Sequence, residues 1–361
     1  MRIGLVIYGS LETRSGGYLY DRKLVEALTA QGDEVIVLSQ PWRSYARRLL
    51  DNLDRNLLAS AKAARLDLLL QDELNHPSLA VQNLWLSRTL GIPLISIVHH
   101  LRSSEAHPPA ALRFYRTVER AYLGTINGCI YNSANTRAAV EALLPAPRPG
   151  IVAHPGGDHI APPPAPVIHA LIDQRVRVPA PLRLLSVGNI IPRKNLHTLL
   201  RALSRLPRSG WRLTIVGSLS SDIDYVNQLH RVVAQQQLTD SVRFLGPVST
   251  QTLRQLYAAH HVMALPSTHE GFGIAYLEAM AFGTVPLAAR QGAAGELIVD
   301  GESGLLVDAQ DDRALAARLA EFMTRRADRR EFAFAARARY DEMQTWAESM
   351  ARIGAWLRAF G

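Results

Sequence analysis

The segment from Leu265 to Glu278, LPSTHEGFGIAYLE, combines glycines and carboxylates in a pattern that suits the binding of an anion. The apolar run before it predicts a strand, and a helix is predicted to start at about Ile274. Gly271 and Gly273 allow the backbone to approach an anion closely, and the unpaired amides at a helix start favour a phosphate. The segment therefore predicts a cradle for a diphosphate.

Two glutamates flank this glycine-containing turn. Glu270 lies in the loop, and Glu278 follows eight residues later, within the predicted helix. Their carboxylates could accept hydrogen bonds from the sugar and ribose hydroxyls that lie on either side of a diphosphate. The alternative interpretation is a glycine-rich turn with a surface glutamate.

Two adjacent cations, Arg193 and Lys194, follow a second predicted strand, which ends at Gly188 in SVGNIIPRKNLHTLLRAL. Cations at the carboxyl end of a strand are well placed to neutralise the charge that grows on a leaving diphosphate. Either cation alone is more often a solvated surface charge. Their occurrence together with the glycine and glutamate segment favours an anion site.

The N-terminal half offers weaker candidates. Gly16 and Gly17 lie in the first predicted βα loop, but the pattern G-x-G-x-x-G of dinucleotide-binding proteins is absent. His99 and His100 end the predicted strand PLISIV, at the edge where such sheets bind ligands, and a structural role for them is an equal alternative. A metal site is the weakest interpretation, because adjacent strand residues point in opposite directions and no carboxylate lies at ligand spacing.

Strand and helix patterns alternate along the chain and predict an α/β protein with two doubly wound parallel sheets. The proline-containing segment APPPAPVIHALIDQRVRVPAP interrupts the alternation and predicts a linker. The predicted boundaries are an N-terminal domain over 1–165, a linker over 166–181 and a C-terminal domain over 182–335. A C-terminal helix over 336–361 is expected to cross back to the first domain.

Composition excludes several classes of protein. The 361 residues are 48% apolar and 20% charged, as in globular proteins, and no apolar run is long enough for a bilayer span. The formal charge of +8 is spread evenly without a basic tail or zinc-finger spacing, so no nucleic-acid partner is expected. We interpret Met1–Tyr8 as a first strand rather than a signal peptide, and the single Cys129 is consistent with a reducing cytoplasm.

One local excess of positive charge lies in the N-terminal half. Apolar residues recur at helical spacing from Trp42 to Leu57, with Arg43, Arg47 and Arg48 beside them. The pattern predicts an amphipathic basic helix, which could lie on anionic lipid at the inner membrane face. A packed helix with a solvated basic face is the alternative.

Taken together, these segments resemble family 4 of the retaining glycosyltransferases, the glycosyl transferases group 1. The resemblance covers nearly the whole chain and is most specific in its last third. The similar stretches are SGGY, IVHHL, YNSANTRAAVE, IVAHPGGD, VGNIIPRKN, VRFLGPVS, the E-x7-E run with LEAMAFGTVP after it, and GELIVDGESGLLV. Two departures are Asn189, where many members carry an arginine, and His100, where the family usually has an aspartate.

The resemblance implies the GT-B fold, in which two Rossmann-like doubly wound parallel-sheet domains face each other across a cleft. The C-terminal domain would bind the donor, and the N-terminal domain would bind the acceptor. Three residues would be catalytic, namely His99, Glu270 and Lys194. The donor-binding residues would be Gly16, Gly17, Arg193, Lys194, Gly271, Phe272, Gly273, Ile274 and Glu278, with Gly217 and Val248 near the base. The segments Gln71–Ser78 and HHLRSSE would line the acceptor site, through Asp72, Glu73, His76 and His100.

The activity implied by the resemblance is retaining transfer of a hexose from a nucleotide-diphosphate sugar to a hydroxyl acceptor. The acceptor could be a glycan, a lipid-linked molecule or a small molecule. No D-x-D motif is suitably placed, so neither a metal nor a further cofactor is expected. The alternatives are a non-catalytic homologue that acts as a binding or scaffold subunit, and an epimerase or phosphorylase on a related scaffold.

Overall fold

The computed structural model describes residues 1–177 and 181–360, which form two compact units. The first unit contains residues 1–155 and 344–360, and the second contains residues 156–343. The division therefore falls ten residues before the predicted end of the N-terminal domain at 165.

The first unit is built on a sheet of six parallel strands in the order β2-β1-β3-β4-β5-β6. Its strands are β1 (Arg2–Tyr8), β2 (Glu34–Gln40), β3 (Leu68–Asp72), β4 (Leu94–Val98), β5 (Gly128–Tyr131) and β6 (Gly150–Val152). Its helices up to residue 155 are α1 (Gly16–Ala30), α2 (Tyr45–Leu50), α3 (Asn56–Ala64), α4 (His76–Leu79), α5 (Gln82–Leu90), α6 (Pro109–Leu123) and α7 (Ala134–Glu141). The central strands β3, β4 and β5 are buried throughout, as expected for a parallel sheet covered on both faces.

The register of this sheet brings polar residues from distant parts of the chain to one edge. Asp72, the last residue of β3, lies opposite Ile97 of β4, so the residues that follow these two strands are neighbours. Helix α1 begins beyond the end of β1, where the side chain of Ser15 accepts a hydrogen bond from the backbone N–H of Tyr18. Leu24 is one of the buried residues of the same helix.

The predicted amphipathic helix from Trp42 to Leu57 is wrong as a single element. Helix α2 ends at Leu50, a 3-10 turn covers Asp51–Leu53, and α3 begins only at Asn56. The side chain of Asn52 donates a hydrogen bond to the carbonyl of Pro77 at 2.5 Å. Asn52 also donates to the carbonyl of Leu49, three residues earlier, at 3.0 Å, and such a local bond from side chain to backbone competes with continued helix.

The second unit is built on another sheet of six parallel strands, in the order β12-β11-β10-β7-β8-β9. Its strands are β7 (Leu182–Val187), β8 (Trp211–Val216), β9 (Val242–Gly246), β10 (Val262–Leu265), β11 (Val285–Ala289) and β12 (Leu305–Val307). Its helices are α8 (Ala165–Arg177), α9 (Leu196–Ser204), α10 (Ile223–Gln235), α11 (Thr250–Ala259), α12 (Ile274–Ala281), α13 (Ala294–Leu297), α14 (Asp312–Thr324) and α15 (Asp328–Asp341). The predicted fold class of two doubly wound parallel sheets is confirmed.

The segment predicted as a linker, 166–181, instead contains most of helix α8, which belongs to the second unit. Residues 178–180 of that segment lie outside the described part of the chain. The prolines are compatible with a helix here, because Pro164 and Pro166 lie at its start. The first N–H groups of a helix have no partner within the helix, so a proline there breaks no hydrogen bond. Ile168 and Ile172, one turn apart, are fully buried in the core of the second unit.

The last helix, α16 (Trp346–Arg358), belongs to the first unit and packs on α1. A capping box between Thr345 and Glu348 fixes its start. The return to the first unit begins at residue 344 rather than at 336, because α15 remains in the second unit. Among residues 1–177 and 181–360, no helix has the length and apolar content needed to cross a bilayer.

Arg175 ties α8 to the second sheet. The guanidinium is buried, with 5% of the residue exposed, and it donates only to neutral oxygens. Its acceptors are the carbonyls of Tyr257, Ala258, His260 and Gly283 and the hydroxyl of Thr284. These oxygens lie at the ends of α11 and α12, so one side chain satisfies the carbonyl ends of two helices.

We therefore expect Arg175→Leu to lower the free energy of unfolding of the second unit by about 3 kcal/mol or more, because several buried carbonyls lose their donor. Urea denaturation followed by tryptophan fluorescence would measure this. Arg177→Leu, at an exposed position of the same helix, is the matched control and should change stability little. Equal effects of the two substitutions would contradict the role of Arg175.

Candidate functional site

In the second unit, Glu270 pairs with both cations that the sequence analysis singled out. Glu270 lies between the end of β10 and the start of α12, and 9% of the residue is exposed. The Nζ atom of Lys194 lies 2.6 Å from Glu270 Oε1, and a guanidinium nitrogen of Arg193 lies 3.5 Å from Oε2. Arg193 also donates to the carbonyl of His269 at 2.7 Å. The structure thus joins the two motifs into one cluster.

The charges in this cluster are strongly coupled. Burial alone would raise the pKa of Glu270, but Lys194 and Arg193 outweigh burial and lower the pKa to about 2. Burial lowers the pKa of Lys194, and the Glu270 carboxylate opposes that shift. With an ionised carboxylate and two cations, the cluster carries net positive charge, which suits an anionic ligand.

Glycines give the backbone around Glu270 its shape. Gly273 has a φ of +100°, and a Cβ there would lie 2.3 Å from the ring of Tyr276, so only glycine fits at the start of α12. Gly292, which the sequence analysis missed, has a φ of +81°, and a Cβ there would lie 2.4 Å from the carbonyl oxygen of Glu270. The next residue, Ala293, donates its backbone N–H to that carbonyl at 3.0 Å. The loop after β11 therefore clamps the backbone of Glu270.

Glu278 lies in α12 with 8% of the residue exposed. The hydroxyl of Tyr257 donates to its Oε2 at 2.7 Å, and His159 Nε2 lies 3.0 Å from its Oε1. Both neighbours were missed from the sequence, because His159 is 119 residues away and no local pattern links it to Glu278. They hold the carboxylate in one orientation.

The residues predicted near the base lie beyond two neighbouring strands. Gly217 follows β8, and Val248 lies two residues beyond the end of β9. A Cβ on Gly217 would lie 1.9 Å from the carbonyl oxygen of Gly188, so this glycine allows two strand ends to approach each other. Close backbone packing accounts for the glycine at 217, and contact with a base stays a prediction.

In the first unit, the backbone and ring of His99 are held from several sides. Its N–H donates to Glu73 Oε2 at 2.9 Å, and its carbonyl accepts from Asn132 Nδ2 at 2.8 Å. Its ring Nε2 lies 3.2 Å from Asp21 Oδ1, and the ring of Tyr20 meets the imidazole edge-on with a centroid distance of 5.3 Å. Burial lowers the pKa of His99, so the imidazole is neutral at neutral pH.

The glycine pair of the first loop begins helix α1. A Cβ on Gly17 would lie 3.0 Å from the imidazole of His99, so the absence of a side chain at this position makes room for the ring. Gly16 is the first residue of the helix. The structure thus brings the SGGY motif and His99 together, although 82 residues separate Gly17 from His99.

The four predicted acceptor contacts differ in exposure. Asp72 is fully buried, Glu73 supports the backbone of His99, and His76 hydrogen-bonds to the carbonyl of Glu73 through Nδ1 and to the hydroxyl of Tyr45 through Nε2. Burial lowers the pKa of His76 to about 4. The fourth, His100, is half-buried and lies 3.0 Å from Glu105 Oε1. Of the four, His100 has the most accessible side chain.

Two buried carboxyl groups lie beside His99, namely Asp72, which was predicted as an acceptor contact, and Asp21, which the sequence did not reveal. Burial raises the pKa of both Asp21 and Asp72 to about 7. One oxygen of each, Oδ2, is buried without a hydrogen-bond partner in the described structure. Asp21, Asp72 and His99 each offer one polar side-chain atom, and these atoms lie within 4.8 Å of one another, so the three groups are close enough to share protons.

These raised pKa values generate a prediction about stability. From the ordinary value of 3.8 up to about 7, the folded protein binds protons more tightly than the unfolded chain at Asp21, so the free energy of unfolding falls as pH rises through this range. Asp21→Asn removes that dependence, and the variant should gain stability relative to the native protein between about pH 5 and pH 8. Urea midpoints at the two pH values would measure the change.

Asp240→Asn, at an exposed position of the second unit, is the control and should differ from the native protein equally at both pH values. A stability difference for Asp21→Asn that does not change with pH would contradict the burial of a proton-binding carboxyl group.

Comparisons with known proteins agree with this architecture. The model of the family described as glycosyl transferases group 1 matches residues 171–339. A D-inositol 3-phosphate glycosyltransferase of Mycolicibacterium vanbaalenii is 29% identical over 88% of this chain and 76% of its own length. The protein of that name from Corynebacterium urealyticum is 36% identical over 38% of this chain, and the one from Pseudarthrobacter chlorophenolicus is 32% identical over 63%. The alignments span only 34% and 56% of those two relatives.

Solved structures show the same fold. Sucrose-phosphate synthase from Thermosynechococcus elongatus superposes with a TM-score of 0.85 at 21% identity, over 99% of this chain and 98% of that chain. HepE of Anabaena, in complex with UDP-glucose, superposes with a TM-score of 0.77 at 22% identity, over 99% and 100% of the two chains. The two doubly wound units are thus those of the GT-B fold. The family model matches most of the second unit, so this part of the chain is similar to the group 1 glycosyltransferases.

Proposed function

We propose that the protein is a retaining, metal-independent glycosyltransferase that moves a hexose from a nucleotide-diphosphate sugar to a hydroxyl acceptor. The observation that carries the proposal is the cluster of Glu270, Lys194 and Arg193 at the start of α12. It combines two cations for a diphosphate with a carboxylate for sugar hydroxyls, next to a helix start, where the helix dipole favours negative charge.

The two cations supply the positive charge that the reaction needs. When the bond between the anomeric carbon and the phosphate oxygen breaks, the electron pair goes to the leaving nucleoside diphosphate. Lys194 and Arg193 lie where they can stabilise that charge, and their buried setting strengthens the interaction. This supports catalysis in which side chains do the work that a divalent cation does in other transferases.

The two glutamates would orient the donor. Glu270 is held by Lys194 and by the clamped backbone at Gly292, and its remaining lone pairs can accept hydrogen bonds from the transferred sugar. Glu278 is held by Tyr257 and His159 and keeps lone pairs for the ribose hydroxyls. Groups held before the substrate arrives lose little entropy when they bind it.

Retention of configuration rests on the family resemblance. In the front-face route, the acceptor oxygen bonds to the anomeric carbon on the side from which the diphosphate leaves, and the acceptor proton passes to a phosphate oxygen. His99 would contact the sugar or acceptor as a neutral hydrogen-bonding group, because burial lowers its pKa. In this scheme, Gly16 and Gly17 would contact the diphosphate.

The comparisons support this class of substrates. HepE of Anabaena, which has the same fold, was crystallised with UDP-glucose, a nucleotide-diphosphate hexose. The curated relatives are named for D-inositol 3-phosphate, whose free groups are hydroxyls. The acceptor proposed for this chain is therefore a hydroxyl compound.

A donor screen tests the proposal directly. We expect at least one of UDP-glucose, UDP-N-acetylglucosamine and GDP-mannose, each radiolabelled in the sugar, to raise the melting temperature and to be slowly hydrolysed without EDTA inhibition. If no nucleotide sugar is hydrolysed and none shifts the melting temperature, the enzymatic proposal fails.

Glu270→Gln should separate binding from turnover. We expect donor hydrolysis to fall by about 100-fold or more. The nucleoside diphosphate should bind at least as tightly as before, because Lys194 and Arg193 lose their anionic partner. Hydrolysis assays and isothermal titration would measure the two effects.

Glu302→Gln, at an exposed position of the same unit, is the matched control and should change neither quantity. Full hydrolysis by the Glu270→Gln variant would refute the role given to this carboxylate.

We also propose peripheral contact with an anionic membrane through a basic apolar surface of the first unit, formed by Trp42, Arg43, Arg47, Leu50 and Leu53. Its apolar members Trp42, Leu50 and Leu53 are 61%, 70% and 70% exposed, and the two leucines are the most exposed large apolar side chains of residues 1–177 and 181–360. The two arginines beside them are also exposed, so charge and apolar surface occur together. This combination suits anionic headgroups over an acyl boundary even though the helix is interrupted.

Vesicle sedimentation tests this surface. At low salt we expect the protein to pellet with vesicles containing phosphatidylglycerol and not with phosphatidylcholine alone, and Trp42→Ser, Leu50→Ser and Leu53→Ser together should abolish pelleting. Ile223→Ser with Val299→Ser, which removes exposed apolar side chains of the second unit, is the control and should bind normally. Failure of the native protein to pellet would sink the membrane proposal.

A further inference from the structure

We infer that Asp21 is a positioning residue that fixes which nitrogen of His99 is protonated, and that Asp72 supports it by sharing a proton. This rests on the proposed contact of His99 with substrate. Asp21 lies in α1, far from His99 along the chain, and its Oδ1 lies 3.2 Å from the ring Nε2. The arrangement resembles the carboxylate and imidazole pairs by which proteins hold a histidine in one tautomer.

The surroundings of His99 leave the ring little freedom. Its backbone is bonded on both sides, to Glu73 and to Asn132. Tyr20 packs edge-on against one side of the ring, and the position of Gly17 lies against another. With the side chain 10% exposed, Asp21 is the group that meets Nε2.

One proton shared by Asp21 and Asp72 would reduce two buried negative charges to one. Both residues are fully buried, and each has an Oδ2 without a hydrogen-bond partner in the described structure. Asp72 Oδ1 accepts from the backbone N–H of Leu74 at 2.8 Å. Two adjacent buried carboxylates cannot both be ionised without a large cost. A proton between the unpartnered oxygens satisfies both and leaves one negative charge.

That charge at Asp21 determines the tautomer of His99. A carboxylate can only accept, so the neutral ring must carry its proton on Nε2 and direct it to Asp21. The other nitrogen, Nδ1, then holds a lone pair, and no hydrogen bond engages it within residues 1–177 and 181–360. Nδ1 is thus the nitrogen that can accept a hydrogen bond from a hydroxyl of the sugar or acceptor.

A purely structural role for Asp21 predicts a different outcome. If Asp21 only supported the fold, any Asp21 variant that still folds would keep its activity. Asp21→Leu would then leave function intact. Asp21→Asn distinguishes the roles further, because an asparagine amide can donate to Asp72 while its oxygen still accepts from His99 Nε2. Positioning therefore predicts a loss in the leucine variant and rescue in the asparagine variant.

Nitrogen-15 NMR of ring-labelled histidine tests the tautomer without any substrate. Comparison with His99→Gln assigns the His99 signals, and long-range correlations distinguish a protonated nitrogen from an unprotonated one. At about pH 7.5 we expect protonated Nε2 and unprotonated Nδ1 in the native protein and in Asp21→Asn, and a shift of the proton toward Nδ1 in Asp21→Leu. A native protein protonated at Nδ1 overturns the inference, even if the leucine variant does not fold.

Donor hydrolysis by the same variants tests the consequence. Asp21→Leu should lower kcat by about 10- to 100-fold, as for other carboxylates that orient a functional histidine, with KM changed less, and Asp21→Asn should restore most of it. Glu119→Gln changes another buried carboxyl group of the first unit and is the control. Native hydrolysis by a folded Asp21→Leu variant overturns the inference. If the native protein hydrolyses no donor, the proposed function fails, whereas the NMR result still decides the tautomer.

Discussion

The neutralisation of buried charge is the constraint on which both halves of this molecule depend. In the second unit, Lys194 and Arg193 lie at the carboxyl end of a parallel sheet, and the protein supplies Glu270 as their counter-ion. The ion pair holds the cations in place, and its excess positive charge remains available to an anion. In the proposed function, a donor diphosphate would join a cluster that is already formed, rather than order loose side chains as it binds.

In the first unit the buried ionisable groups near His99 are mostly carboxyl groups, and they are neutralised in a different way. Asp21, Asp72 and Glu73 are buried close to His99, and burial raises the pKa of all three carboxyl groups. Bound protons neutralise these carboxyl groups, whereas in the second unit Lys194 and Arg193 neutralise Glu270. Because His99 is itself neutral, the proposed active histidine is an oriented hydrogen-bonding group rather than a charge. This division suits a reaction in which the strong charge develops on the donor phosphate.

Glycines matter in both units because functional groups lie where chain segments come close together. Gly17 leaves space for the imidazole of His99, and Gly292 allows a loop to reach the carbonyl of Glu270. Gly217 permits the contact of two strand ends beside the cation loop. At Gly17 and Gly292 a Cβ would displace a residue of the candidate site, so these two glycines are part of its geometry.

The sequence by itself determined the parallel α/β architecture and the residues of the proposed donor motif. Strand and helix periodicity and the glycines around Glu270 are local signals, because hydrogen bonding and backbone sterics act over a few residues. Local signals gave the wrong element at Trp42–Leu57, where Asn52 is bonded to Pro77. They also predicted a linker at α8, a proline-containing helix with a buried face.

Only the tertiary structure decided which distant side chains share a site. The partners of Glu278, namely His159 and Tyr257, come from separate elements, and Asp21 reaches His99 from 78 residues away. Parallel strands bring their carboxyl ends to one edge regardless of the length of chain between them. Periodicity and spacing therefore predict the elements, whereas the pairing of charges and the protonation of His99 follow from packing that spacing cannot encode.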